Sequence, residues 1–124
     1  MTSYILTIEE KPTYLHARVT GTNSVENVLS YLAEVHAACV QQNYSAVLIE
    51  ENLSGPSVDL TSIYEIVSAR SHYTTPQLRR IAYVDMNPEH DAARMKFAET
   101  VAVNRSVNVR LFSTLQEAVG WLTE

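Results

Sequence analysis

The side chains best placed for chemistry are carboxylates and hydroxyls, and they gather at a few points of the chain. Glu50, Glu51 and Asp85 stand where two apolar runs end, after Ile49 and Val84. Those runs read as strands, and open α/β sheets bind ligands at the carboxyl ends of strands, near a reversal of strand order. Three carboxylates there suit Mg²⁺, a hard cation that takes oxygen ligands, or a phosphoryl-transfer site built on it. The plainer alternative is a solvated strand end that leads into a helix. Ser57, Thr61 and Ser62 surround the start of a second helix, which Asp59 is placed to cap. Backbone amides at a helix N-terminus stabilise phosphate, so these hydroxyls suit a phosphorylation switch as well as ordinary capping.

Other reactive types are present without the spacing that chemistry needs. His16, His36, His72 and His90 never pair at three- or four-residue intervals, and no Cys/His cluster or HExxH motif occurs. Cys39 falls on the inward stripe of a helix, as a buried and inert thiol would. With glycine only at 21, 55 and 120, there is no phosphate-cradling loop and no GxSxG elbow. Arg70, Arg79 and Arg80, with His72 and Tyr73 between them, form the one local basic cluster. It reads equally as a contact for an anionic partner or as solvated surface. No catalytic constellation emerges, and no cofactor is expected.

The elements that carry these groups follow from periodicity. Tyr4, Leu6 and Ile8 alternate with Ser3, Ile5 and Thr7, and Leu15, Ala17 and Val19 with His16, Arg18 and Thr20, giving two strands joined by the hairpin Glu9-Glu10-Lys11-Pro12. Ser24 is placed to cap a helix running to about Asn43, with Val25, Val28, Leu29, Leu32, Val35, Cys39 and Val40 on its apolar stripe. Ala46-Val47-Leu48-Ile49 reads as a strand buried on both faces. Asn52 to Ser57 reads as a loop, and Leu60, Ile63, Tyr64 and Val67 as the inward stripe of the second helix. Arg80 to Val84 is the next strand. Asn87-Pro88 has the pattern of a cap and first position of a third helix, with Ala92, Met95, Ala98, Val101 and Ala102 turned inward. Val107 to Phe112 forms the last strand. Ser113 and Gln116 have capping-box spacing for a final helix that carries Leu115, Ala118, Val119 and Leu122. The order ββαβαβαβα predicts an α/β sandwich with a mostly parallel central sheet and an N-terminal hairpin.

Size and charge agree with one such domain over residues 1–124. Of the 124 residues, 46% are apolar, enough for a core without disulfide staples. Nine basic against fourteen acidic side chains give a net charge of −5, which argues against nucleic acid and anionic membranes. No apolar run approaches the roughly 20 residues of a membrane span. The N-terminus lacks a signal-peptide pattern, and a single cysteine fits a reducing compartment, so a cytoplasmic protein is expected.

The C-terminal half resembles the SpoIIAA-like proteins, relatives of the STAS domain. The likeness lies in Arg80-Ile81-Ala82-Tyr83-Val84, in Val109-Arg110-Leu111-Phe112, and in the closing Glu117-Ala118-Val119-Gly120-Trp121-Leu122. The first half agrees in element order. The resemblance implies a domain that works by docking on protein partners, in a form that admits a homodimer and an apolar ligand between helices and sheet. It also implies a phosphorylated serine at the start of the second helix, within an Asp-Ser-Ser-Gly stretch. The matching residues here are Asp59-Leu60-Thr61-Ser62, without the glycine and with leucine for the first serine. The expected working surface is the second helix, Asp59 to Arg70, with the preceding loop. Tyr64 or Ile66 would be its anchors, Ile66 being either a partner contact or part of a second buried face.

Overall fold

The computed structural model describes residues 4–73, with side chains as far as Arg70, and residues 78–124. Nine elements follow in the order β1 (Tyr4–Glu10), β2 (Leu15–Thr22), α1 (Val25–Gln42), β3 (Ala46–Ser54), α2 (Leu60–Tyr73), β4 (Arg80–Asp85), α3 (Ala92–Asn104), β5 (Val109–Leu111) and α4 (Leu115–Leu122). The five strands form one sheet in the order β1-β2-β3-β4-β5. β1 and β2 pair antiparallel and every later pair is parallel. This is the predicted ββαβαβαβα order. Among the described residues the strand order never reverses, so no crevice of the kind a reversal opens is formed by them.

Sequential parallel strands joined by crossovers of one hand must carry their helices on one face. α1, α2 and α3 accordingly pack together over one side of the sheet, and α4 turns back to the other. Strand alternation sorts the side chains between the two layers. Leu15, Ala17, Val19, Val47, Ile49 and Leu53 meet Tyr31, Val35 and Cys39 of α1. Ala46, Leu48, Ala82 and Val84 meet Ala118, Trp121 and Leu122 of α4.

Caps and ladders set the boundaries. Ser24 Oγ accepts the Asn27 N–H at 3.1 Å, and α1 closes on Asn43 in the left-handed conformation at φ +60°. Asp59 Oδ1 accepts the Ser62 N–H at 2.7 Å and so caps α2 as expected. Three expectations shift. β3 continues to Ser54 rather than ending near Ile49, because pairing of Leu53 and Ser54 with Gly21 and Thr22 satisfies its backbone. α3 begins at Ala92 under an Asp91 cap rather than at Pro88. Asn87 instead donates to the Leu53 carbonyl at 2.8 Å and accepts from the Glu89 N–H. The cap of α4 is Thr114, whose hydroxyl oxygen accepts the Glu117 N–H at 3.2 Å, one residue beyond Ser113.

α2 is also rotated from its predicted stripe. Ile63 and Ile66 are buried and Val67 is half-buried, whereas Leu60 and Tyr64 are about half exposed, at 51% and 47%. Ile66, left open between a core and a surface role, belongs to the core.

Candidate functional site

Adjacent residues of a strand point to opposite faces, and this separates the three carboxylates singled out above. Glu50 faces the α4 side, where His16 Nε2 lies 2.9 Å and Arg18 Nε 3.4 Å from Oε1. Glu51 faces the α1–α3 side, and so does Asp85, its register partner on β4. Glu51 is 3% exposed, an unusual place for a carboxyl group. Tyr31 from α1 donates its hydroxyl hydrogen to Glu51 Oε2, and the Tyr83 hydroxyl lies 3.5 Å from that of Tyr31. Burial pushes the Glu51 carboxyl up from its ordinary value, against the opposing pull of the two tyrosine hydroxyls. Burial, and then the charge of Glu51, likewise raise Tyr31 and Tyr83 well above a normal phenol.

His90, in the turn before α3, extends this cluster. Its Nδ1 lies 2.6 Å from Asp85 Oδ2 and its Nε2 3.0 Å from the Gly55 carbonyl oxygen. Asn87 Nδ2 is 3.2 Å from the same ring nitrogen and also holds the Leu53 carbonyl. The ring therefore ties the β3–α2 loop to the β4–α3 turn. Gly55, in the β3–α2 loop, has φ +99°, a conformation that a side chain disfavours. Glu51, Asp85 and His90 each offer a ligand atom, all within 4.8 Å of one another, the group among the described residues best able to hold a metal ion. Both ring nitrogens already have partners and the Glu51 oxygen receives a phenol, so the set suits a dry polar tie better than hydrated Mg²⁺.

Next to the tie, a cavity of about 190 Å³ lies between the sheet and the three helices. Its wall is mainly apolar, with Val35, Ile49, Ile63, Ile66, Ile81 and Ala98 among its members. Tyr31, Glu51, Tyr83 and His90 also line it. Three residues of β3, Val47, Ile49 and Glu51, carry the lining along about 13 Å of sheet. An engineered dry cavity of about 150 Å³ holds benzene, so this one has room for a slightly larger apolar molecule.

The remaining residues singled out in the sequence fall around this site. Ser57 Oγ accepts the Asp91 N–H at 2.8 Å, and Arg94 Nη1 donates to the carbonyls of Ser57 and Val58 at 3.3 and 3.1 Å. The loop before α2 is thereby fastened to the start of α3. Asp59 and Thr61 are exposed and Ser62 is half-buried on the first turn of α2. The Ser62 backbone N–H holds the Asp59 carboxyl below its usual value. Arg70 lines the cavity, whereas Arg80 donates to the Trp121 carbonyl and lies 5.4 Å from that ring's centroid on the opposite face. Arg70 and Arg80 therefore do not act as one basic cluster, and the side chains of His72 and Tyr73 with Thr74 to Pro76 lie outside the described residues. Burial pushes the Cys39 thiol up to about 11, in keeping with an unreactive core position.

Tyr31, Tyr83 and His90 are the members of the site that sequence reasoning passed over. Asn27, Tyr31, Val35 and Cys39 are the buried residues of α1, spaced four apart, but Asn27 and Tyr31 do not read as an apolar stripe.

No protein-family model and no curated protein matches this sequence. Solved structures do. An anti-sigma factor antagonist from Mycobacterium paratuberculosis superposes with a TM-score of 0.61 at 15% identity, over 98% of this chain and 96% of that one. An uncharacterised protein with a SpoIIAA-like fold from Shewanella loihica superposes at 0.55 and 15% identity, over 98% and 95%. Among the described residues no helix is long and apolar enough to cross a membrane. With a five-stranded mixed sheet, three helices on one face and a fourth on the other, the chain has the SpoIIAA-like fold.

Proposed function

We propose that this chain is a non-enzymatic regulatory domain that acts by associating with a protein partner through the outer face of α2. The observation that carries this reading is the exposure of Leu60 and Tyr64, four residues apart and so on one helix face. The Tyr64 ring is already positioned. Arg105 Nη2 donates to its hydroxyl at 2.9 Å, and the guanidinium carbon lies 5.0 Å from the ring centroid. A pre-oriented aromatic anchor loses little side-chain freedom on docking. The anti-sigma factor antagonist that shares the fold supports a regulatory role exercised through another protein.

The test is affinity capture from an extract of the source organism, with the double variant Leu60→Glu and Tyr64→Glu beside the unchanged chain. Native mass spectrometry would read self-association of both. Loss of a protein partner or of a dimer in the variant is the expected result. An unchanged set of associations in a folded variant overturns the reading.

A second reading is favoured by a different observation, the apolar cavity under the same helix. In that reading the domain carries or senses a small, mainly apolar molecule. Native mass spectrometry of freshly purified protein would detect it as a retained adduct.

A further inference from the structure

One residue of the cavity wall points to the chemistry of its occupant. Its polar members can be followed in turn. Glu51 is tied to Tyr31, His90 to Asp85 and the Gly55 carbonyl, and Arg94 to the carbonyls of Ser57 and Val58. Glu99 accepts from Lys96 and from the Leu111 N–H. His36 differs. It lines the cavity from α1, and its Nε2 is buried with no hydrogen-bond partner. The other such atom among the described residues, Ser68 Oγ, does not line the cavity.

Resting on the second reading above, we propose that the cavity takes a small carboxylic acid, its chain or ring among the apolar side chains and its carboxylate on His36 Nε2 beside Arg70. A buried ring nitrogen without a partner is costly, and a carboxylate that accepts a hydrogen from Nε2, in the tautomer or protonated form that carries one there, removes that cost. Arg70 lines the same cavity from α2, and its charge acts on His36. The end of the cavity also follows from charge. Glu51 and Asp85 would repel an anion at the strand ends, whereas five residues of α1 carry His36 about 7.5 Å along the helix axis from Tyr31. An anionic head therefore belongs with His36 and Arg70. Scaling from the benzene-sized cavity, about 190 Å³ suits roughly eight heavy atoms. That is the size of a six-carbon acid.

Burial first, and then Arg70, hold the His36 imidazole below its ordinary value. A carboxylate alongside offsets both effects, so occupancy raises it.

The experiment is a calorimetric titration of the full chain at pH 7 with hexanoate and with hexan-1-ol, repeated on His36→Leu and Arg70→Leu. The His36 ring signals are followed by NMR with each compound present. Hexanoate is expected to bind at least tenfold more tightly than hexan-1-ol, to lose that margin in either folded variant, and to raise the His36 titration midpoint. Should His36→Leu fail to fold, Arg70→Leu and the His36 midpoint in the unchanged chain decide. Equal affinities, or a margin that survives in the folded variants, overturn acid recognition while leaving the cavity reading standing. Millimolar hexanoate and hexan-1-ol both failing to bind overturns the two together.

Discussion

Removing the Tyr31 hydroxyl isolates the interaction at the centre of the site. Tyr31→Phe keeps the ring, which is fully buried, and deletes the donor that faces Glu51 Oε2. A hydrogen bond to a charged group contributes about 1.5–3 kcal/mol, and Glu51, at 3% exposure, has little water to replace it. A loss of about 2 kcal/mol is therefore expected in urea unfolding at pH 8. For 124 residues the unfolding entropy is about 0.26 kcal/mol/K, so the thermal midpoint should fall by about 8 °C. The decisive form is a double-mutant cycle with Glu51→Gln, which keeps an acceptor but removes the charge. Against glutamine, Tyr31→Phe should cost only about 1 kcal/mol, the contribution of a neutral bond, leaving about 1 kcal/mol of coupling. That coupling should shrink as pH is lowered and the carboxyl takes up its proton, which burial favours. A single-variant loss below about 0.5 kcal/mol, or additive losses at pH 8, would refute the buried charge-assisted bond.

Two further outcomes follow from the burial of Glu51 and of Ile66. Burial raises the Glu51 carboxyl in the folded chain, so the folded state binds its proton more readily than the unfolded state does. The stability of the natural chain relative to Glu51→Gln should thus fall as pH rises above the ordinary carboxylate value of about 4.3, and a flat difference across pH 4–8 would count against it. On α2, Ile66→Ala should cost about 2 kcal/mol or more, being a core truncation, whereas Leu60→Ala should stay within about 0.5 kcal/mol. Chemical denaturation of both variants checks this, and similar losses would mean that the helix is rotated from the orientation described here.

The framework was legible because its signals are local. Ser24 with the stripe of α1, the alternation of β1 and β2, and the cap at Asp59 each lie within a few residues. The site was legible only in part. Glu50 and Glu51 are adjacent acids after a run that is apolar at every position, so β3 alone carries no parity to show which of them faces the helices. The parity was available one strand earlier, in the alternation Leu15, Ala17 and Val19. The parallel register transfers it to Val47, Ile49 and Glu51. His90 could not be found that way, since its tie to Gly55 spans 35 residues and depends on where two loops come to rest. α2 offered two stripes that share Ile63 and Val67. Packing against α1 and α3 selects the one that includes Ile66, and no pattern within the helix does so.

That choice of stripe has a functional consequence, because it places both proposed activities on one element. The inner side of α2 supplies Ile63, Ile66 and Arg70 to the cavity wall, and the outer side displays Leu60 and Tyr64. A helix of 14 residues is about 21 Å long, and neither face can shift without the other. An occupant that seats α2 differently would move the Tyr64 ring relative to Arg105, whose hold on it comes from the end of α3. Ligand and partner would then be thermodynamically linked, each changing the affinity of the other by the same factor. The substitutions separate the two, since Arg70→Leu alters only the inner face and Tyr64→Glu only the outer. Hexanoate affinity unchanged by Tyr64→Glu, together with partner capture unchanged by saturating hexanoate, would show two independent faces on a rigid helix. A change in partner capture that disappears in Arg70→Leu would identify α2 as the coupling element.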